Sequence, residues 1–242
     1  MKFAHSLPKA QFVGSRNESI LRYCAGKTVL HLGFVDEGLL EDRLREQSWL
    51  HARLAQVARK LVGVDVSAQG VNRARELGYN DCYVGDVEKL SAVPFPRLDY
   101  DIILAPDIIE HLANPGLFLS ELRQILTDSM VVLVTTPNAL SIRTFFYPLS
   151  GTEVVHPDHN FYYSPTTLPT LLKKHGYKIE HLALYSSFWK PNFRNRRSIT
   201  ENFLKGIYLP MDITLRYLFI PFFPYFSDGM MLYAKKNSQG LA

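Results

Sequence analysis

Four short turns and one histidine-rich segment hold the residues with chemistry in this sequence, and each turn closes an apolar run. His31-Leu32-Gly33-Phe34-Val35-Asp36-Glu37-Gly38 places a glycine where the backbone can turn sharply and approach a ligand closely. Gly63-Val64-Asp65-Val66-Ser67 presents a carboxylate able to accept hydrogen bonds from both hydroxyls of a ribose. Gly85-Asp86-Val87 offers a second carboxylate, suited to an exocyclic amine. Ala105-Pro106-Asp107 ends the fourth run and leads into Ile108-Ile109-Glu110-His111-Leu112. The fifth segment is His156-Pro157-Asp158-His159-Asn160-Phe161-Tyr162-Tyr163-Ser164. Histidine titrates near neutrality, so His159 or His156 can take a proton from a hydroxyl, and His111 can orient the loop beside Glu110. His156, Asp158 and His159 can instead hold a divalent metal that orients two acceptor oxygens, although the sequence itself assigns no metal. Taken singly, a glycine after a strand is usually only a turn, and a lone acid there is usually a helix cap. The order and spacing of the whole set are far more specific than any member.

The elements that must position these residues can be read from hydrophobic patterning. Thr28–Gly33, Leu61–Val66, Asp81–Val84, Tyr100–Ala105 and Met130–Thr135 are short runs rich in Val, Ile, Leu or Tyr, as expected of parallel strands buried on both faces. Between the first two, Leu40, Leu44, Leu50, Leu54, Val57 and Leu61 keep helical spacing, read as one kinked helix or as two with Ser48 capping the second. Asn114-Pro115-Gly116 opens a helix carrying Leu119, Leu122 and Leu126. Ser164-Pro165 caps another over 166–175, stopped by Gly176, and strands follow at Tyr177–Tyr185 and Gly229–Ala234. This alternation predicts an α/β fold: a doubly wound, Rossmann-like sheet of about seven mostly parallel strands with helices on both faces. Ligands of such sheets bind at the carboxyl ends of the strands, where the strand order switches.

The composition agrees. The 242 residues are 47% hydrophobic and 21% charged, which suits a globular chain and excludes a disordered, collagen-like or coiled-coil one. A single domain over 1–242 is expected, with a helical extension at 1–25 and an apolar, basic insertion at 192–227 before the last strand. From Phe188 onward eight Lys/Arg face three acids, a surplus of +5 against −1 for the rest. The modest total and the lack of a recognition motif argue against nucleic acid as a partner. Lys205, Asp212, Arg216 and three prolines interrupt the apolar stretch Phe203–Phe226, so it reads as a lid, a homodimer face or a peripheral membrane contact rather than a span. Cys24 and Cys82 are too few for a disulfide framework, and Met1–Ala10 lacks the apolar core of a signal peptide, so a cytoplasmic setting is expected.

The set Val29-Leu30-His31-Leu32-Gly33, Gly63-Val64-Asp65-Val66-Ser67, Val84-Gly85-Asp86 and Tyr100-Asp101-Ile102-Ile103 resembles class I S-adenosylmethionine-dependent methyltransferases. Glu110-His111-Leu112 and Leu133-Val134-Thr135-Thr136-Pro137-Asn138 resemble the branch with ubiquinone-biosynthesis and sugar or polysaccharide O-methyltransferases. The resemblance covers roughly residues 25 to 185 and the final strand. It implies S-adenosylmethionine as cofactor, leaving as S-adenosylhomocysteine, with Gly33 beside its methionine part. Asp65 and Val66 would hold the nucleoside, Asp86 and Val87 the adenine, and Pro106 and Asp107 the floor beneath the sulfonium. His159 would sit over the active-site mouth as the leading proton acceptor, ahead of His156 and His111. Arg143, Tyr147 and nearby aromatics would shape the acceptor pocket.

One departure stands out. The family usually carries an acid where His31 stands, and glycines near Val35 and Glu37. A neutral histidine cannot supply the usual negative charge, which Asp36 or Glu37 would have to provide from a reshaped loop that also carries Phe34. The leading reading is methyl transfer to a hydroxyl of a small molecule, sugar or lipid-linked precursor. Methyl transfer to nitrogen or carbon would use the same cofactor residues, and a degenerate loop would suit a non-catalytic scaffold. A dehydrogenase is a weaker competitor, because the first turn lacks the Gly-x-Gly-x-x-Gly series and Asp65 lies 32 residues after Gly33.

Overall fold

A computed structural model describes residues 6–36, 38–142, 155–186 and 222–238, together with positions 4, 144, 148, 151, 153, 214, 218 and 220. Most of the 192–227 stretch therefore lies outside the described residues, as do Glu37, Arg143 and Tyr147. Among the described residues no helix is long and apolar enough to cross a membrane.

The chain runs β1 (Gln11–Phe12), α1 (Arg16–Cys24), β2 (Thr28–Leu32), α2 (Leu40–Arg45), α3 (Leu50–Val57), β3 (Lys60–Asp65), α4 (Ala68–Glu76) and β4 (Cys82–Val84). A 3-10 turn (Val87–Ala92), β5 (Ile102–Pro106), α5 (Pro115–Ile125), β6 (Val131–Pro137), α6 (Thr167–Lys174), β7 (Tyr177–Tyr185) and β8 (Gly229–Lys236) follow. The strands form one sheet in the order β1-β7-β8-β6-β5-β2-β3-β4. All pairings are parallel except those of β8, which runs antiparallel to β6 and β7. The expected doubly wound α/β sheet is present, with eight strands rather than about seven. The added strand β1 pairs only Gln11 with Ala183 and Phe12 with Leu184.

Strand alternation divides the core. Leu30 and Leu32 of β2 face a cluster with Phe118 and Leu122 of α5 and Leu168 and Leu172 of α6. Val29 faces the other side, with Ile20 and Cys24 of α1 and Leu50 and Leu54 of α3. Local signals set several helix starts. Ser15 and Ser67 cap α1 and α4 by accepting from the amides of Glu18 and Gly70, and Asn114 caps α5 by accepting from Leu117. The Ser164 hydroxyl accepts from the amides of Thr166 and Thr167 as α6 begins, and Gly176, at φ +79°, ends it. Ser48 does not cap α3. Trp49 holds that position without a side-chain bond, its indole N–H donating instead to the carbonyl of Phe34 at 2.8 Å.

Candidate functional site

The order of the strands turns back between β2 and β5: the chain steps outward through β3 and β4, then returns to lay β5 on the other side of β2. The parallel register brings the ends of these strands to one edge, with Leu32 opposite Val64, Asp65 opposite Val84, and Pro106 opposite Thr135. Gly33, Asp65, Asp86, Pro106 and Asp107 therefore stand along a single rim, at a switch point that suits a ligand crevice.

Gly33 has φ +65°, and a Cβ there would overlap the Cγ2 of Ile108. Asp65 is buried, and its two oxygens accept from the amides of Val35 and Ser67, both at 2.9 Å. It thus ties the loop after β2 to the start of α4. Val66, next along, leaves an apolar side chain 70% exposed. Asp86 caps the 3-10 turn by accepting from the amide of Glu88 at 2.9 Å, with Lys89 at 3.7 Å, and Val87 packs against the main core.

The loop after β2 departs from expectation. His31 is 1% exposed and points into the α3 side of the sheet, its Nδ1 lying 3.2 Å from Nδ1 of His51. Burial and the neighbouring His51 push its pKa well below the ordinary range, so it is a neutral core group, turned away from the rim. His51, in turn, lies 3.6 Å from the Cys82 thiol and is held down to about 3 by burial. Phe34 is buried as well, against Trp49 and His51. Asp36, at φ +53°, faces Arg43 at 3.6 Å rather than replacing the missing acid on β2. Gly38, at φ +78°, bends this loop.

On the β5 side, Pro106 is buried and Asp107 takes φ +49°, a strained conformation for a non-glycine residue. The surroundings hold it there: Asp107 pairs with Arg16 of α1. It accepts from Thr135 Oγ1 at 2.6 Å and from the Tyr185 hydroxyl at 3.4 Å. Glu110 is the more consequential find. It is buried, accepts from Thr136 Oγ1 at 2.9 Å through one oxygen, and its other oxygen has no hydrogen-bond partner among the described residues. Burial pushes its pKa up to about 7, the range of a proton acceptor that works at neutral pH. Arg16 left no local signal, lying far along the chain from Asp107. Glu110 did leave one: an acid directly after two isoleucines that follow the end of a buried strand.

The histidines are brought together. Asn160 donates from its amide to the carbonyl of Glu110 at 2.8 Å and from its side chain to the carbonyl of His111 at 2.8 Å. These bonds clamp the 156–163 loop onto the segment after β5. The His111 ring lies 4.5 Å from that of His159 and 5.4 Å from that of His156, centroid to centroid, while His156 and His159 are 5.5 Å apart. Loss of hydration and the neighbouring rings lower the basicity of His111 and hold His159 at about 4. Asp158 lies 3.7 Å from Nδ1 of His156.

The comparisons with known proteins agree with this rim. Residues 22–182 match a family model described as a methyltransferase domain. A probable S-adenosylmethionine-dependent methyltransferase of Mycolicibacterium smegmatis is 30% identical over 158 residues, 65% of this chain and 54% of that protein. A similarly described protein of Mycobacterium tuberculosis is 28% identical over 142 residues, 59% of this chain and 48% of that one. The chain spans about half the length of these curated relatives. Among solved structures, a SAM-dependent methyltransferase from Archaeoglobus fulgidus shares the fold at TM-score 0.54 and 18% identity, over 91% of this chain and 92% of that one. The magnesium protoporphyrin IX methyltransferase of Synechocystis, solved with bound SAH, does so at 0.55 and 13%, over 91% and 81%. Sheet order, rim and family match converge, and the chain belongs to the methyltransferase-domain family.

Proposed function

We propose that the protein transfers a methyl group from S-adenosylmethionine to a hydroxyl of a small molecule, a sugar or a lipid-linked precursor. The observation that carries this reading is the rim of β3 and β4, where the exposed apolar Val66 directly follows Asp65 and Asp86 follows the end of the neighbouring strand, whose Val84 is opposite Asp65. That pattern fits a nucleoside: Asp65 for the ribose hydroxyls, Val66 for the adenine face, Asp86 for its amine and Val87 for a backbone contact. Gly33 leaves the backbone open to the methionine part, and Pro106 and Asp107 form the floor. The bound cofactor supplies a methyl group already activated by its sulfonium charge. The chain's remaining work is to hold donor and acceptor in line and to help remove the acceptor's proton. The histidine cluster, His159 foremost, is assigned to that proton, with Arg16 balancing the charge of Asp107 on the floor. The exposed Phe222 and Phe223, within the 192–227 stretch, support an amphiphilic acceptor or contact with a membrane surface.

Isothermal titration with S-adenosylmethionine and S-adenosylhomocysteine tests the cofactor reading. Binding should weaken at least tenfold in Asp65→Ala and in Asp86→Asn, the second a milder change at a half-exposed turn. No binding by well-folded protein, or affinity indifferent to both substitutions, would overturn it.

A further inference from the structure

We propose that His111, His156 and His159 form a binding site for a divalent transition-metal ion such as Zn2+. One ring nitrogen from each lies within 4.8 Å of the others. Tetrahedral zinc, with nitrogens about 2.0–2.1 Å from the ion, needs ligand atoms roughly 3.3 Å apart. The set must therefore close by at most about 1.5 Å, within reach of rotations about the side-chain bonds of rings that are only partly buried or exposed.

The backbone that carries these rings is already fixed. Asn160 bonds to the carbonyls of Glu110, His111 and Leu112, so two segments 45 residues apart cannot drift. The Asp158 amide donates to Nδ1 of His156 at 3.3 Å, and the Asp158 carboxylate stands 3.7 Å from the same nitrogen. Histidine ligands of metals are commonly oriented by such outer contacts to a carbonyl or carboxylate. Three imidazole nitrogens favour zinc or its neighbours in the transition series over magnesium, which prefers oxygen ligands. Three protein ligands leave a fourth position open, the arrangement of catalytic rather than structural sites.

This inference deepens the assignment of the cluster to the acceptor's proton. The ion's open position would take the acceptor hydroxyl and lower its pKa, its proton leaving to solvent, so the three histidines would act by holding the ion rather than as a base. That use rests on the methyl-transfer reading; the metal site does not. The test is therefore metal titration without cofactor: the full chain with Co2+, followed by visible absorption, then displacement by Zn2+. One ion per chain is expected, with the absorption of a four-coordinate cobalt site. His156→Ala and His159→Ala should each weaken binding at least 30-fold, Asp65→Ala should leave it unchanged, and millimolar Mg2+ should not compete. An intact unfolding curve for each variant guards against misfolding. No binding by folded protein, binding indifferent to both histidine substitutions, or ready displacement by Mg2+ would refute the site. Loss of cofactor binding with metal binding retained would refute only the methyl-transfer reading.

Discussion

Glu110→Gln should make the protein more stable in alkaline solution than in acid, relative to the parent chain. The Glu110 carboxyl is buried, with one oxygen accepting from Thr136 and the other unpartnered among the described residues. Its pKa stands near 7 in the folded protein against an ordinary 4.5, so between those values the folded state binds more protons than the unfolded one. Stability is therefore fully present below pH 4.5 and falls as pH rises through about 7, by roughly 3 kcal/mol at about 1.4 kcal/mol per pH unit. Glutamine keeps the shape and an acceptor for Thr136 and removes the proton from the equilibrium. The Tyr163 hydroxyl also lacks a hydrogen-bond partner among the described residues, and its pKa is pushed up by burial and, less, by the Glu110 charge. Any misfit of the amide costs the same at every pH, so the difference between two pH values isolates the charge. Urea unfolding of both proteins at pH 5 and pH 8 should show the parent losing about 2–3 kcal/mol more than the variant on going to pH 8. With a slope of about 2–3 kcal/mol/M, that is a relative midpoint shift of about 1 M. Midpoints that move in parallel would mean the carboxyl is hydrated or charged in the fold, and its candidacy as a proton acceptor would go with it.

The neutral pair on the α3 side makes the opposite limb testable. His51 is held at about 3 against an ordinary 6.5, so the stability it confers is present above 6.5 and lost as pH falls toward 3. His51→Leu should flatten that acid limb by about 1.4 kcal/mol per pH unit, read from urea midpoints at pH 6.5, 5.5 and 4.5, with His31 keeping part of the slope; identical slopes would contradict it. Gly33→Ala meets both a left-handed backbone and the Cγ2 of Ile108, which should cost about 2–4 kcal/mol in thermal unfolding. In an Ile108→Ala background, which relieves the overlap and carries its own packing loss in both proteins compared, Gly33→Ala should cost only about 1 kcal/mol, and no cost there would show that the backbone conformation carries no strain.

The strands of the rim were legible because a buried parallel strand is a run of apolar residues, and an acid or glycine at its end stands out against it. Asp65, Asp86 and Gly33 come together because parallel register aligns strand ends, a consequence that needs no distant contact to be known. What escaped the sequence depends on such contacts. Nothing local to His31 announces that its ring is buried against His51, twenty residues on. Nor does the sequence around Asp107 show that Arg16, far along the chain, pairs with it. Strand β1 is too short to show any period, and exists because the edge of β7 offers it partners. Ser48 has the chemistry of a cap, but the indole of Trp49 reaching Phe34 sets where α3 begins.

The position of β8 bears on how the chain assembles. The last strand in chain order among the described residues, β8, is not laid on an edge but inserted between β6 and β7, antiparallel to both. Until residues 229–236 arrive, β7 and β1 have no neighbour through which to join the rest, and Tyr185 cannot be fixed beside Asp107. The sheet closes last near its middle, through contacts of long sequence separation that are slow to form. During synthesis the chain would hold two unsealed strand edges, on β6 and β7, and it is there, rather than at the β3–β4 end of the sheet, that aggregation during folding would begin.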